Sequence, residues 1–381
     1  MNAFILRLFI IIFSLLLTSC SRPYAPEDVY KIAVVSPLSG PDEPLGTSIA
    51  HGVELAVKEV NDNGGIYSKK VLLIKEDDGG LVGEGAFFAY RLTRTDMVLG
   101  VIGHLDSDIS IPASEFYTRA KIPQISPGTT SPYFTEREAT MGYVFRTIGR
   151  DDAEGKILAD YVVKNNFKRV AILYPERDYG RSLAGEFAKG LKTHKNIKSR
   201  PAIVYYNKIE KGKTDYGALL VHLSSLKPDV IFLAGEYDDA GHLVKDFPKY
   251  GLEKTQFLGG DGVHHSDFIK IGGINTEGAV VISPPPIVDK EFILKYRKYF
   301  KDEPTGYSAN SYDATSILIS AIRQVKEKDS EKIAKVIATT KDFPGVTGSI
   351  SFDENGDLTS LGFVLNKVVN GKFVVIQNEN K

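Results

Sequence analysis

Strand-like and helix-like segments alternate along residues 31–126, and this alternation constrains the fold more than any other feature. Lys31–Ser36 is a short β-branched run that predicts a strand. The apolar residues that begin at Ile49 recur at offsets 0, 4, 7, 8 and 11, which predicts a helix over 47–63. Strands over 71–75, 97–102 and 122–126 then alternate with helices over 85–95 and 107–120. This order predicts a parallel sheet covered by helices on both faces.

The same plan starts again near Asp151. Predicted helices over 151–166, 182–195, 215–226 and 239–250 alternate with strands over 169–174, 203–206, 230–234 and 256–258. The chain therefore predicts two α/β units of about 120 residues each, which is within the usual size of a domain. A third block begins at Gly278 and contains further helices and short strands. Periodicity alone does not assign this block to either unit.

The N-terminus has the pattern of a bacterial export signal. An apolar stretch of about 10 residues follows Arg7, whereas about 20 residues are needed to span a bilayer. It ends in Leu17-Thr18-Ser19-Cys20, which resembles the bacterial lipobox, in which the cysteine becomes the lipidated first residue of the mature protein. We predict a signal peptide over 1–19 and a lipidated linker over 20–29, with the exported protein held in the cell envelope, in the periplasm or at the outer face of the membrane, by its lipid only. The alternative is an uncleaved anchor with an incidental cysteine.

Composition and motifs exclude several function classes. Lys plus Arg number 47 against 48 for Asp plus Glu, so the chain lacks the basic excess that nucleic-acid binding requires. Cys20 is the only cysteine, which excludes an intrachain disulfide. No phosphate-binding loop, zinc-protease motif, nucleophile elbow or complete dinucleotide fingerprint is present, so neither an enzyme nor a cofactor is expected. His264, His265 and Asp267 form the only dense His/Asp cluster, for which a solvated loop is favoured over a metal site.

Loops that follow predicted strands contain small hydroxylic residues. Gly103–Ser107 follows one strand and Pro127–Ser131 follows the next. In an open α/β sheet such loops lie at the carboxyl ends of neighbouring strands, where ligands bind. Ser107 and Thr130 can each offer a hydroxyl and an N–H to an anion, although helix capping explains the same residue types equally well. Asp261 follows a strand of the second unit in the same way and is placed to meet a cationic group across a cleft.

The sequence resembles the leucine/isoleucine/valine-binding proteins that serve branched-chain amino-acid ABC importers. The matching segments follow one another in the family's order over nearly all of residues 31–366. Each segment is weak evidence by itself, but together they are specific for the family. The matching segments are Ser36–Pro41, Asn61–Ile66, Glu76–Asp78, Val101–Leu105, Pro112–Ser114, Ile125–Pro127, Phe145–Asp151, Asp178–Gly180, Gly260–Val263 and Ser351–Leu358.

The resemblance implies a type I periplasmic-binding-protein fold, in which two doubly wound lobes are joined by three hinge crossings. Lobe 1 is expected over 30–148 and 279–346, and lobe 2 over 149–278 and 347–381. The resemblance also implies that Ser107, Gly128 and Thr130 receive the α-carboxylate and α-ammonium of an amino acid. Asp261 is implied to complete the ammonium site from the other lobe, and Tyr179 to line the cleft. The full set of expected ligand-binding residues is Leu105, Asp106, Ser107, Gly128, Thr129, Thr130, Tyr179, Glu236 and Asp261.

Two of the departures from the family pattern bear on the ligand. Asp106 stands where the best-known members have a cysteine, and Glu236 stands where an aromatic residue is expected, unless the register slips and Tyr237 takes that place. Unpaired carboxylates beside an aliphatic ligand would cost several kcal/mol or become protonated. A ligand with a polar or cationic side chain, or another small amine or amide, is therefore expected. The alternative is that both carboxylates point to water at the rim of the cleft.

The function expected from these features is that of a lipid-anchored solute-binding protein. It would capture an amino acid or similar small zwitterion by hinge closure and deliver it to an ABC permease. A ligand-sensing module of the same fold, feeding a receptor without transport, is the alternative that the sequence leaves open.

Overall fold

Two separate sheets organise the molecule. The computed structural model describes residues 28–360 and 362–376; the predicted signal peptide, Cys20 and the linker up to residue 27 lie outside the described residues. The first sheet has five parallel strands in the order β2-β1-β3-β4-β5. Its strands are β1 (Tyr30–Ser36), β2 (Val71–Asp77), β3 (Val101–Gly103), β4 (Gln124–Ser126) and β5 (Val144–Arg146).

The second sheet has seven strands in the order β14-β13-β10-β9-β8-β6-β7. Strands β6–β10 are parallel, β13 pairs antiparallel with β10, and β14 pairs antiparallel with β13. These strands are β6 (Arg169–Pro175), β7 (Ala202–Ile209), β8 (Val230–Leu233), β9 (Gln256–Gly259), β10 (Val280–Ser283), β13 (Val364–Val369) and β14 (Lys372–Ile376). A separate two-stranded sheet consists of β11 (Phe343–Gly345) and β12 (Gly348–Ile350).

Helices cover both large sheets. Those of the first half are α1 (Glu43–Asp62), α2 (Val82–Arg91), α3 (Ser107–Arg119), α4 (Asp151–Lys164) and α5 (Asp178–Thr193). Those of the second half are α6 (Gly217–Leu226), α7 (Tyr237–Lys245), α8 (Ser266–Gly272), α9 (Lys290–Phe300), α10 (Gly306–Val325) and α11 (Ser330–Ile337). The two doubly wound α/β units predicted from the sequence are confirmed.

Strand β1 shows why its sequence is almost continuously apolar. Ile32 and Val34 join a core on one face of the sheet, and Ala33 and Val35 join a second core on the other face. A parallel strand that is buried on both faces has no solvent-facing positions, so its apolar residues do not alternate with polar ones. Burial on both faces also holds the carboxyl ends of these strands in place, and the strand-to-helix loops begin at those ends.

A close contact between helices returns the third block to the first sheet. Helix α10 packs along α1, and Gly52 of α1 lies against the backbone of Ser308. A Cβ atom at Gly52 would stand 2.1 Å from the Ser308 carbonyl oxygen, so only glycine permits this approach. We call the first sheet with α1–α3 and α9–α11 lobe 1, and the second sheet with α4–α8 lobe 2.

Two of the predicted lobe boundaries are wrong. The return to lobe 1 was expected at residue 279, but β10 pairs in parallel with β9 and therefore belongs to lobe 2. The last crossing was expected between residues 346 and 347, but there the chain forms the turn of the β11–β12 hairpin. Asp313 of α10 accepts hydrogen bonds from the backbone N–H groups of Val346 and Thr347, which keeps this hairpin on lobe 1. The second crossing therefore follows Ser283, and the third lies between Ile350 and Val364.

A buried ion pair joins the first and third crossings. Arg146, the last residue of β5, and Asp357 of the third crossing are almost fully buried, with Arg146 Nε 2.6 Å from Asp357 Oδ1. The guanidinium of Arg146 also donates to the carbonyl oxygens of Thr129 at 2.8 Å and Ser131 at 2.9 Å. Burial by itself would raise the pKa of Asp357, but Arg146 and Arg150 hold it below its usual value. The pair thus fixes the 127–131 loop to the crossings.

Replacement of Asp357 tests this role. Asp357→Ala would leave a buried guanidinium without its carboxylate, so we expect a loss of about 3–5 kcal/mol in the free energy of unfolding. Urea denaturation followed by circular dichroism measures the loss. Glu354→Ala removes an exposed carboxylate from the same turn and should change stability by less than about 0.5 kcal/mol. Equal stabilities of the two variants would contradict the role given to the pair.

Candidate ligand-binding site

A small cavity lies between the two lobes. Its lining comes from the strand-to-helix loops of both lobes and from helix α10. The lining residues are Asp42, Leu45, Leu105, Asp106, Ser107, Gly128, Tyr179, Glu236, Asp261, Gly262 and Tyr307. Lobe 1 and lobe 2 therefore share one site, and neither lobe encloses it alone.

One wall of the cavity is the N-terminal end of helix α3. Asp106 is the N-cap residue and Ser107 is the first residue of the helix. A Cβ atom at Gly128 would stand 2.9 Å from the Leu105 carbonyl oxygen, so glycine allows the 127–131 loop to lie against this end of α3. The first N–H groups of a helix have no partners within the helix, and the helix dipole favours a negative charge there. This wall is suited to a carboxylate.

Asp261 of lobe 2 provides an acidic group in the cavity. The hydroxyls of Tyr179 and Tyr307 donate to its two carboxylate oxygens at 2.7 and 3.2 Å. Burial raises the pKa of Asp261, and these two hydrogen bonds act in the opposite direction. Glu154 lies next to Asp261, and its carboxylate accepts the backbone N–H of Asp261 at 3.0 Å. This part of the site is suited to an ammonium group.

A second group of acidic residues lines the cavity. Asp42, Asp106 and Glu236 are exposed by only 3, 8 and 6 %, respectively. Lys211 Nζ lies 2.8 Å from Asp42 Oδ2 and 3.4 Å from Glu236 Oε1. Arg177 Nη2 lies 3.8 Å from Asp106 Oδ2. We call these five residues the acidic cluster.

The acidic cluster decides between two expectations from the sequence. Asp106 and Glu236 line the cavity, so the alternative that both point to water at the rim is wrong. Tyr237 does not take the place of Glu236, since its hydroxyl donates to the Pro41 carbonyl at 2.6 Å. Burial raises the pKa of Asp106 to about 8, and the nearby Lys211 acts against this rise.

Seven of the nine expected ligand-binding residues meet at the cavity. The two that are not part of its lining are Thr129 and Thr130. Thr129 is held away from the cavity because its hydroxyl donates to Ser110 Oγ at 2.5 Å. Thr130 is also fully buried, and its carbonyl accepts the Asp151 N–H at 3.0 Å. A contact of either residue with a ligand stays a prediction.

Sequence reasoning missed four residues of the lining and two residues that pair with its carboxylates: Asp42, Leu45, Gly262 and Tyr307, and Arg177 and Lys211. Asp42 lies directly after the Ser36–Pro41 motif and Arg177 directly before the Asp178–Gly180 motif, so proximity to those motifs was an available signal. Lys211 and Tyr307 lie far from any such motif and carried no signal of this kind. Tyr307 reaches the cavity because the Thr305 capping box sets the start of α10 there. Tertiary packing places these residues at the site.

The histidine cluster considered as a metal site is part of the lobe 2 packing. The rings of His264 and Phe373 pack at a tilt with their centres 4.3 Å apart, and His265 Nδ1 accepts the Asp267 N–H in the first turn of α8. Within residues 28–360 and 362–376, no group of three or more His, Cys, Asp or Glu side chains is arranged to hold a metal ion.

Comparison with known proteins identifies the family. The sequence profile described as "Periplasmic binding protein" matches residues 29–371. The chain belongs to the periplasmic binding protein family. Its curated relatives include the Leu/Ile/Val-binding protein homolog 1 of Brucella abortus (strain 2308), 32% identical over 354 residues that cover 91% of this chain and 93% of the relative. The Leu/Ile/Val-binding protein BraC3 of Rhizobium johnstonii is 30% identical over 360 residues, covering 93% and 95%.

Solved structures agree with the family assignment. The leucine-binding protein LivK of Thermotoga maritima superposes with a TM-score of 0.83 at 28% identity, covering 92% of this chain and 98% of the other. The branched-chain amino-acid transporter substrate-binding protein LivJ of Streptococcus pneumoniae, in complex with isoleucine, gives 0.82 at 28% identity, covering 92% and 99%. The predicted resemblance and the type I fold are confirmed. This family member is a solute-binding protein of the ABC-transporter type and not an enzyme.

In the described part of this periplasmic binding protein, no helix has the length and apolar character needed to cross a bilayer.

Proposed function

We propose that this protein is exported, anchored by lipid at Cys20, and captures an amino acid by hinge closure for delivery to an ABC permease. The observation that carries the proposal is the distribution of complementary groups around one cavity. Lobe 1 presents the N-terminus of α3 to a carboxylate, and lobe 2 presents Asp261 to an ammonium. A zwitterion that contacts both groups would hold the lobes together.

Contacts between the lobes support hinge closure. Arg177 Nε of lobe 2 lies 3.4 Å from Asp108 Oδ2 of lobe 1. The backbone N–H of Asp178 donates to Asp108 Oδ1 at 2.5 Å, and the hydroxyl of Tyr237 reaches the Pro41 carbonyl of lobe 1. These bonds belong to a closed arrangement and would break if the lobes separated. A ligand that binds this arrangement better than an open one shifts the population toward it.

Delivery to a permease is supported by the relatives. LivJ of S. pneumoniae is a transporter substrate-binding protein. The lipobox-like Leu17–Cys20 segment supports an anchor that keeps the captured ligand near a membrane transporter. No contact between this chain and a permease is needed for capture itself.

Asp261→Ala tests the ammonium site. The variant would leave the α-ammonium without a carboxylate in a buried cavity, so we expect binding to weaken by roughly 2–5 kcal/mol. Isothermal titration calorimetry with the amino acid that binds the wild-type protein measures this change. Asp267→Ala removes a carboxylate from the neighbouring helix α8 outside the cavity and serves as the control. Unchanged affinity in Asp261→Ala would remove the basis of the proposed site.

Asp108→Asn tests closure without altering the lining of the cavity. The substitution weakens the contacts with Arg177 and the Asp178 N–H, so the closed form loses about 1–3 kcal/mol and the dissociation constant rises about 5- to 150-fold. Calorimetry with the same amino acid gives the affinity. Glu115→Gln, which neutralises an exposed carboxylate of the same helix, should leave it unchanged. If both variants bind as tightly as the wild-type protein, closure through these contacts is excluded.

Cys20→Ala tests the anchor. The variant lacks the thiol that would carry the lipid, so we expect it to leave the membrane fraction when cells are fractionated. Mass spectrometry of the wild-type protein should show a chain that begins at a modified Cys20. Recovery of wild-type chains that retain residues 1–19 would contradict lipid anchoring.

A further inference from the structure

We propose that the acidic cluster selects an amino acid whose side chain carries a positive charge, that is, a basic amino acid. This inference rests on the proposed function, because it assumes that the cavity binds an amino acid. It goes beyond that function by naming the chemical class of the side chain.

The formal charges of the acidic cluster do not balance. Asp42, Asp106 and Glu236 carry three negative charges when ionised, whereas Lys211 and Arg177 carry two positive ones. All three carboxylates are more than nine-tenths buried and line the cavity. Arg177 is shared with a further carboxylate, that of Asp108. One additional cation at this place would neutralise the remaining charge, and buried charge is tolerated where it is paired.

The hydrogen-bonding capacity of the acidic cluster is also unfilled. Among the described residues, Asp42 Oδ1, Asp106 Oδ2 and Glu236 Oε2 are buried oxygens without a hydrogen-bond partner. Buried acceptors in proteins are nearly always paired, and an unpaired one costs free energy. An ammonium or guanidinium group supplies several donors at once, whereas an aliphatic side chain supplies none.

Other groups around the cavity are complementary in chemistry to the remaining parts of such a ligand. The N-terminus of α3 is suited to the α-carboxylate, and Asp261 is suited to the α-ammonium. Leu45 and Leu105 offer apolar surface to the methylene groups between the two charged ends. A basic amino acid differs from the ligand of LivJ of S. pneumoniae, whose structure contains isoleucine.

The affinity for a cationic side chain should depend on pH. The groups that face Asp106 are Lys211, Asp42, Arg177 and Glu236, and burial raises the pKa of Asp106 to about 8. At pH 6 the Asp106 carboxyl therefore holds a proton that a cationic ligand would have to displace. We expect the affinity for lysine to increase from pH 6 to pH 8.5. The affinity for norleucine, the uncharged analogue of the same chain length, should not increase in this way.

The deciding experiment is calorimetric titration of the purified protein with lysine and with norleucine. We expect lysine to bind at least about tenfold more tightly, the low end of what a charge-assisted hydrogen bond contributes. The double variant Asp106→Asn/Glu236→Gln should reduce this preference to within about threefold while norleucine binds no more weakly than before. The comparison within the wild-type protein stands even if the double variant does not fold.

The possible outcomes separate the two proposals. Norleucine or leucine binding as tightly as lysine or more tightly would overturn the inference and leave the proposed function in place. A preference for lysine that the double variant retains in full would also overturn it, because the cluster would not be the cause. If no amino acid binds, the proposed function itself fails, and the inference fails with it.

Discussion

The buried ion pair between Arg146 and Asp357 is the interaction on which the site depends. It joins the first crossing between the lobes to the third, and the same guanidinium holds the carbonyl groups of Thr129 and Ser131. The loop that faces the N-terminus of α3 is therefore fixed by the same residue that anchors the hinge. A buried arginine tolerates desolvation only where its donors are paired, so this arrangement requires all of its partners together. Hinge and binding loop form one structural unit.

Each lobe presents an incomplete set of partners, and their combination gives the site its chemistry. Lobe 1 supplies the N-terminus of α3 together with Asp42 and Asp106. Lobe 2 supplies Asp261 and Glu236. It also supplies Lys211, which pairs with Asp42, and Arg177, which pairs with Asp106. Carboxylates on both sides of a closing cleft lose water when it closes, which is unfavourable unless cations replace that water. The ion pairs that Lys211 and Arg177 form across the cleft replace part of the lost water. A ligand with complementary charge replaces the rest of that water.

Local sequence patterns predicted the two α/β units and part of the site, because strand-to-helix loops follow directly from the order of elements along the chain. Ser107 and Asp261 were found in this way. The type I fold and most of the other expected site residues came from the resemblance to the family. The boundary at residue 279 was wrong because an apolar run such as Val280–Ser283 has the same pattern in either lobe, and only its pairing with β9 decides. Tyr307 lines the cavity and Lys211 pairs with Asp42 and Glu236 through contacts between distant segments, which no local pattern contains. The pairing of Asp106 with Arg177 could not be predicted for the same reason.

The central claim is that one amino acid contacts both lobes of a closed cleft. A crystal structure of the protein grown with the amino acid that binds it most tightly tests this claim directly. The account predicts the α-carboxylate within hydrogen-bond distance of the α3 N-terminus around Ser107, and the α-ammonium within hydrogen-bond distance of Asp261. It also predicts that the contacts of Asp108 with lobe 2 are present in that structure. A ligand that contacts only one lobe, or that lies outside this cavity, would contradict the account.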